Sequence, residues 1–287
     1  MVASQQIVCD GSRIVAVSSF GEMLLTSHGL SSRNYTTPEM AELAHGLVDG
    51  LAFLHSKHIY PGRDISVENI IVMQSMTSSL SVVFQIKDIE EMKDKVSAKE
   101  SGDIRRVAEL LKHVWTSSGR SQGLNFCQKQ LIEAMKGPTS QISLEHVRKN
   151  VGLWSKELAM EFLVSVSEVL ELKQRATHWA AVEADRELVV GHSWLERLHP
   201  ALRTKVVNDA RRKRVYEWSS VVDLVRVVRN WTCHYHSLTP EVREALGPYD
   251  DLGAMWTSLF PRLLSHIHRA MAPFQGHNNC ARIKRFY

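Results

Sequence analysis

The stretch that decides the fold of the C-terminal part is SSVVDLVRVVRNWTCHYH, residues 219–236. Its apolar residues recur at helical intervals, which predicts a helix over 219–230 with one face packed into a core. The opposite face is polar, and the segment Cys233-His234-Tyr235-His236 follows the end of the helix. The apolar positions are Val221, Leu224, Val225 and Val228, and the polar positions are Asp223, Arg226, Arg229 and Asn230.

The rest of the chain divides into short strands followed by many helices. Strands are predicted within residues 7–27, and apolar runs at 70–73 and 82–87 indicate a β-hairpin. A helix is predicted to begin at Thr36-Thr37-Pro38-Glu39 and to run to about Lys57. Further helices are predicted over residues 103–115, 128–135, 143–150 and 153–175, and beyond these the chain is predicted to be wholly helical. The pattern is that of a mainly α protein of the α+β type.

Composition favours a folded chain in a reducing compartment. The 287 residues are 44% hydrophobic and 23% charged, which excludes disorder as the default state. No run of 18 apolar residues is present, and the first residues do not resemble a signal peptide, so no membrane span is expected. The cysteines Cys9, Cys127, Cys233 and Cys280 are scattered. We therefore expect a cytoplasmic protein without a disulfide framework.

The two parts of the chain differ in charge. Residues 201–287 contain 14 Lys or Arg against 7 Asp or Glu, whereas residues 1–200 contain 21 against 24. A basic C-terminal module indicates a polyanionic partner. The alternative is a solvated basic surface without a ligand.

A motif in the N-terminal part resembles the catalytic loop of protein kinases. The segment Gly62-Arg63-Asp64-Ile65-Ser66-Val67-Glu68-Asn69 has an Asp followed five residues later by an Asn. The resemblance implies that Asp64 is the base for the substrate hydroxyl and that Asn69 binds magnesium. Asp88 then matches the metal-binding Asp of D-F-G, and Asp103 is expected to open the large helix of the C-lobe.

The kinase motif departs from the family pattern at several positions. Gly62 replaces the His, Ser66 replaces the Lys that holds the transferred phosphate, and Asp88-Ile89-Glu90 lacks the Gly. The activation segment is nearly absent, and neither a Gly-rich loop nor a V-A-I-K lysine precedes Asp64. We therefore interpret this part as a partial, degenerate kinase-like C-lobe. ATP or ADP and magnesium would be cofactors only if residual binding in this lobe survives.

The polar residues of the C-terminal part suit RNA cleavage without a metal ion. RNA carries its own nucleophile, the 2′-hydroxyl, so cleavage needs a base, an acid and a cation for the phosphorane. A His has a suitable intrinsic pKa to act as the acid, near 6.5, and an Arg presents a fixed fork to phosphate oxygens. A Tyr beside guanidinium groups can serve as the base. By residue types alone, a basic helical domain with core histidines remains the alternative.

The C-terminal sequence resembles the kinase-extension nuclease (KEN) domain. This domain occurs in the inositol-requiring kinase/endoribonuclease family of the unfolded protein response and in ribonuclease L, and the similarity is greater to the former. The matching segments are Tyr216, Arg229-Asn230, His234-Tyr235, the stretch from Leu238 to Gly247, Phe260-Pro261, Leu263-Leu264 and Arg269-Ala270-Met271. The resemblance implies two domains, a partial kinase-like domain over 1–153 that lacks most of the N-lobe and a KEN ribonuclease domain over 154–287.

The resemblance also assigns roles to individual residues. His234 matches the general acid of the family, Tyr216 its general base, and Arg229 and Asn230 its contacts to the phosphate and the transition state. Two further residues are expected to support the site, Asp223 and Trp194. The implied activity is metal-independent attack by the 2′-hydroxyl, which leaves 2′,3′-cyclic phosphate ends. The segment Trp231-Thr232-Cys233 departs from the family, which usually has basic residues and a His there.

The sequence also leaves open the partners of the chain, an alternative function and a metal site. The chain is expected to act as a homodimer or as a heterodimer with a related kinase/ribonuclease, and family relatives face the cytosol from the endoplasmic reticulum membrane. The alternative function is a non-catalytic pseudokinase/KEN partner that modulates a full-length relative. A zinc site formed by Cys233, His234 and His236, with His266 or His268, is a further alternative. The C-H-x-H spacing is not a typical one for zinc ligands, so no metal is expected.

We predict that the N-terminal part does not transfer phosphate. The motif lacks the lysine and the phosphate loop, and phosphoryl transfer depends almost wholly on positioning and electrostatic stabilisation. Incubation with magnesium and labelled ATP is expected to leave the protein unlabelled. Labelling that disappears in Asp64→Asn would contradict this prediction.

Overall fold

A computed structural model gives the architecture. It describes residues 14–19, 38–75, 80–86, 96–116, 124–137, 142–172, 176–212, 215–277 and 280–287. The strands are β1 Ile14–Ser19, β2 Ile70–Ser75 and β3 Leu80–Phe84. The first helices are α1 Pro38–Ser56, α2 Val96–Thr116, α3 Phe126–Lys136 and α4 Leu144–Arg148. The later helices are α5 Lys156–Leu170, α6 Ala176–Glu183, α7 Arg186–Val190, α8 Pro200–Arg212, α9 Val221–Cys233, α10 Pro240–Leu246, α11 Leu252–Leu259 and α12 Leu263–Met271.

The predicted fold class is confirmed. The protein is mainly helical, its short strands lie in the N-terminal part, and the described residues beyond 153 form helices and turns without strands. Within the described ranges, no helix combines the length and the apolar character that crossing a membrane requires.

A small antiparallel sheet packs against the first helix. β2 pairs with β1 on one side and with β3 on the other, which confirms the predicted hairpin. Gly46 and Gly50 face this sheet from α1. A Cβ atom on either glycine would come within 2.7 Å of Val82 or 2.6 Å of Phe84, so the glycines allow the helix to lie directly on β3. The remainder of the strands predicted within 7–27 lies outside the described residues.

The kinase-like motif forms a turn that is anchored to the next helix. The backbone N–H of Gly62 donates to Asp103 Oδ1 at 2.9 Å, and His55 Nε2 lies 3.0 Å from Asp103 Oδ2. Gly62 has φ +53°, a left-handed conformation that glycine adopts without strain. Asp103 is only 1% exposed and lies inside α2, which begins at Val96. The expectation that Asp103 opens this helix is therefore wrong, because its carboxylate points to the turn from within the helix.

The helix that was predicted over 153–175 is shorter than expected. Val151–Leu153 forms a separate 3-10 turn, and Trp154 is extended, with φ −72° and ψ 144°. A new helix then starts at Lys156, because Ser155 caps it by accepting a hydrogen bond from the N–H of Leu158 at 3.2 Å. The helix ends at Leu170. It therefore does not run continuously from one part of the chain into the other.

Trp154 packs at the junction between the two parts. Its ring contacts Phe162, His268 and Phe286, with centroid distances of 5.2, 5.2 and 5.6 Å. Two hydrophobic cores meet here. The first core is formed by residues from α1 to Leu153. The second core contains Trp154 and the helices that follow it, and it also includes residues of α3 and of the 3-10 turn that precedes Trp154. The domain boundary between residues 153 and 154 stays a prediction.

Because α11 packs closely on α5, we predict that one added methyl group at Gly253 destabilises the protein. A Cβ on Gly253 would lie 2.3 Å from the backbone oxygen of Lys156, whereas a Cβ on Gly102, within α2, would meet nothing within 4 Å. We expect Gly253→Ala to destabilise the protein by about 1–3 kcal/mol. Gly102→Ala is the matched control, and it should raise stability by roughly 0.5–1 kcal/mol through helix propensity. Thermal unfolding measures both variants, and equal shifts would contradict the packing described here.

Candidate active site

Helix α9 positions three of the predicted site residues on its last turn. The four residues that were predicted to face the core are all buried, namely Val221, Leu224, Val225 and Val228. Their burial fixes the orientation of the helix. Arg229 and Asn230 are half-buried at its end, and Arg229 Nη1 donates to Asn230 Oδ1 at 2.9 Å. His234 terminates the helix, with its backbone N–H donating to Asn230 O at 3.0 Å and its side chain exposed. The structure thus brings a guanidinium, an amide and an imidazole to one accessible helix end.

Tyr216 lies on the loop that precedes α9, and Trp194 holds this loop in place. Trp194 is fully buried, its Nε1 donates to the carbonyl of Glu217 at 3.2 Å, and its backbone N–H donates to the carbonyl of Trp218 at 2.9 Å. The half-buried ring of Tyr216 packs near Trp194 and Trp218, with centroid distances of 6.4 and 6.2 Å. Trp194 therefore acts on the candidate site through the loop that carries Tyr216.

Asp223 ties this loop to the start of α9. Its Oδ2 accepts a hydrogen bond from the N–H of Glu217 at 2.8 Å, next to Tyr216. Ser220 caps the helix by accepting from the N–H of Asp223 at 3.0 Å. The other oxygen of Asp223 accepts from Arg226 Nη1. The carboxylate thus links the loop, the first turn of the helix and an arginine.

The structure shows what surrounds Arg226. The sequence placed Arg226 on the polar face with Asp223, and its ion pair with Asp223 agrees with this, but the side chain is 4% exposed and also pairs with Glu171 from the end of α5. Its guanidinium also lies over the ring of Trp179, 5.6 Å from the centroid. Two carboxylates and an aromatic face make burial of the charge possible. No spacing in the sequence indicated Glu171, which is 55 residues away from Arg226.

Tyr216 and His234 lie towards opposite ends of α9. Asp223, which holds the Tyr216 loop, is seven residues from Asn230, or roughly 10 Å along the helix axis at 1.5 Å per residue. Within the described part of the chain, neither a hydrogen bond nor a ring contact joins Tyr216 to His234. The two groups therefore do not contact each other directly in this part of the structure.

The histidines of the alternative zinc site are dispersed. His266 Nε2 donates to the carbonyl of Val182 at 2.7 Å in the core, and the ring of His268 stacks on Tyr287 at 4.4 Å. Burial lowers the pKa of His268. Among the described residues, no group of three His, Cys, Asp or Glu side chains has a geometry that could hold a metal ion.

The degenerate kinase positions are described only in part. Asp64 ends the short 3-10 turn Gly62–Asp64, and Asn69 ends the following turn, where its carbonyl accepts from the N–H of Gln85 at 2.7 Å. Asp88 lies outside the described residues. The basic cluster Arg211–Arg214 is also described in part, since α8 ends at Arg212.

Comparisons with known proteins support the C-terminal assignment. Residues 159–286 match the model of the family Ribonuclease 2-5A. The chain is similar to the serine/threonine-protein kinase/endoribonuclease IRE2 of Homo sapiens, with 38% identity over 147 residues, which are 50% of this chain and 15% of that protein. It is 32% identical over 152 residues to the serine/threonine-protein kinase/endoribonuclease ire-1 of Caenorhabditis elegans, covering 52% of this chain and 15% of that protein.

A fungal protein shows the same relationship. The chain is 30% identical over 141 residues to the "Sensor for unfolded proteins in the ER ire1" of Schizosaccharomyces pombe, covering 48% of this chain and 12% of that protein. The matched segments thus span about one seventh of the length of these relatives. Residues 159–286 are thus similar to the Ribonuclease 2-5A family, and about half of the chain is similar to part of the kinase/endoribonucleases.

Proposed function

We propose that this protein is an endoribonuclease that cleaves RNA without a metal ion and leaves 2′,3′-cyclic phosphate and 5′-hydroxyl ends. The observation that carries the proposal is the accessible end of α9, where Arg229, Asn230 and His234 converge in a region of the ribonuclease family. In-line displacement at phosphorus puts the attacking 2′-oxygen and the leaving 5′-oxygen on opposite sides. Tyr216, the proposed base, and His234, the proposed acid, must therefore approach the phosphate from opposite sides.

Each site residue has one step in the proposed reaction. Tyr216 accepts the proton of the 2′-hydroxyl, and that oxygen forms a bond to the adjacent phosphorus. Arg229 balances the charge of the phosphorane, and Asn230, already bonded to the guanidinium, holds a phosphate oxygen or the ribose. His234 donates a proton to the 5′-oxygen as the P–O bond breaks. The nucleophile belongs to the substrate, so a metal-activated water is not needed.

The N-terminal kinase-like part serves, in this proposal, as a scaffold for dimerisation and regulation. It retains the anchored turn at Gly62 and its own hydrophobic core. Cys127 and Val151 of this part belong to the hydrophobic core of the C-terminal helices, so a structural change in one part can affect the other. The protein would act on cytosolic RNA, alone as a dimer or with a related kinase/ribonuclease.

We predict that the protein cuts a stem-loop RNA in excess EDTA. His234→Asn removes the general acid and is expected to lower the rate by about 10²–10⁴-fold. Arg229→Ala is expected to lower it by roughly 10²–10³-fold, by analogy with the loss of an oxyanion donor. His58→Asn is the matched control, because His58 is exposed on the other part of the chain and has φ +58°, a conformation that Asn tolerates.

Two outcomes would overturn the proposal. One is cleavage that requires a divalent ion, and the other is full activity in His234→Asn. The assay is run across protein concentrations, because a dimeric enzyme gains activity per subunit as the concentration rises. A protein that binds a related kinase/ribonuclease but never cleaves RNA would support the non-catalytic alternative instead.

We also predict that Glu171 affects turnover although it lies outside the site. Glu171→Gln removes the ion pair between Glu171 and Arg226. Arg226 orients Asp223, and Asp223 in turn binds the loop that carries Tyr216. A charge-assisted hydrogen bond is about twice as strong as a neutral one, so we expect kcat to fall about tenfold with little change in KM. Glu168→Gln is the control, because it removes an ion pair to Arg282 from the same helix at the surface. Equal kcat values for the two variants would show that the buried ion pairs do not position Tyr216.

A further inference from the structure

Two exposed aromatic rings stack directly beside the candidate acid. His236 lies on the 3-10 turn Tyr235–Ser237, which follows His234, and Tyr249 lies on the turn that follows α10. Their ring centroids are 5.8 Å apart, and the rings are inclined by 23°. Tyr249 is 47% exposed, and His236 is exposed as well. We call His236 and Tyr249 the aromatic pair.

The aromatic pair is held in place by a tyrosine behind it. Tyr235 meets His236 and Tyr249 edge-on, with centroid distances of 5.4 and 5.5 Å, and its hydroxyl donates to the carbonyl of Gly247 at 2.6 Å. Gly247 has φ +81°, a conformation that an L side chain rarely adopts. Ser237 fixes the turn at the other end, because its N–H and its Oγ both donate to the carbonyl of His234, at 2.9 and 2.8 Å. The pair is therefore formed before any ligand binds.

We propose that the aromatic pair binds the base of the nucleotide on the 3′ side of the cleaved phosphate. This inference rests on the proposed function. A general acid at His234 protonates the 5′-oxygen, and that oxygen belongs to the nucleotide on the 3′ side. His236 is two residues from His234, so the two Cα atoms are at most about 7.6 Å apart. The base of that nucleotide is thus within reach of the outer face of the aromatic pair.

Stacking on such a surface suits single-stranded RNA. Every base has a π-face, and unstacked bases in loops commonly lie on Tyr or His rings. An open groove of about 610 Å³ adjoins the pair, lined by residues that include Tyr235, Arg243, Glu244 and Pro248. Because Arg243 lines this groove, its guanidinium offers a contact for the phosphate that follows the stacked nucleotide.

The test combines protein variants with RNAs that lack one base. The cleavage position in a stem-loop RNA is mapped first, and the base on its 3′ side or on its 5′ side is then replaced by an abasic site. We expect Tyr249→Ala to lower kcat/KM on the intact RNA by about 5- to 100-fold, the range that one base stack contributes. Tyr249→Phe keeps the ring and should retain nearly full activity. On RNA that lacks the 3′ base, Tyr249→Ala and the unchanged protein should cleave at the same rate.

Controls separate this inference from the proposed function. Phe53→Ala removes another exposed ring, 62% exposed on α1, and should leave cleavage unchanged. An effect of Tyr249→Ala that persists without the 3′ base, or that vanishes without the 5′ base, would overturn the inference. If the protein does not cleave RNA at all, the proposed function fails, and binding still tests the stack. A 2-aminopurine on the 3′ side of a 2′-deoxy cleavage position should then lose fluorescence on binding, and unquenched fluorescence of the bound RNA would overturn the inference.

Discussion

The burial of one guanidinium constrains the C-terminal part of this protein. A charge that leaves water is stable only with partners, so Arg226 requires Glu171 and Asp223 to remain beside it. Glu171 follows the end of α5, and Arg226 lies in the middle of α9, so the ion pair fixes these helices against each other. Asp223 uses its other oxygen to hold the loop of Tyr216. One buried charge therefore connects the packing of the core to the geometry of the candidate site.

The candidate site residues flank one helix. The valine face of α9 is buried, which fixes the helix, while Arg229, Asn230 and His234 lie where the backbone leaves it. Arg229 is linked to Asn230, but the side chain of His234 is exposed and free to meet a substrate. Such an arrangement combines a precise support with access for a polymer as large as RNA. The aromatic pair extends the same surface on the side of the acid.

The N-terminal part holds its kinase-like motif in place through packing contacts. The backbone of Gly62 is bonded to the buried carboxylate of Asp103, and α1 lies on β3 through Gly46 and Gly50. These contacts stabilise the fold whether or not phosphate is transferred. Ser66, in contrast, stands where phosphoryl transfer needs a lysine. Packing contacts around a motif without this lysine are consistent with the scaffold role that we propose.

The sequence by itself determined the local structure and the identity of the candidate residues. The helical spacing of Val221, Leu224, Val225 and Val228 predicted the buried face of α9, because periodicity along the chain reports the geometry of a single helix. The resemblance to a nuclease family singled out Tyr216 and His234. The same local pattern placed Arg226 on the polar face with Asp223, but it did not show that the guanidinium is buried, since only folding brings Glu171 to it across 55 residues.

Only the tertiary structure decided the contacts between distant segments. The backbone is extended at Trp154, and the next helix starts only at Lys156. The helical spacing of apolar residues did not predict this interruption. Asp103 reaches Gly62 across 41 residues from within a helix, and Tyr249 meets His236 only because α10 turns the chain back. No spacing rule predicts such pairs. The reason is physical: a sequence pattern records which side of one element is apolar, whereas the partner of a side chain depends on how whole elements pack.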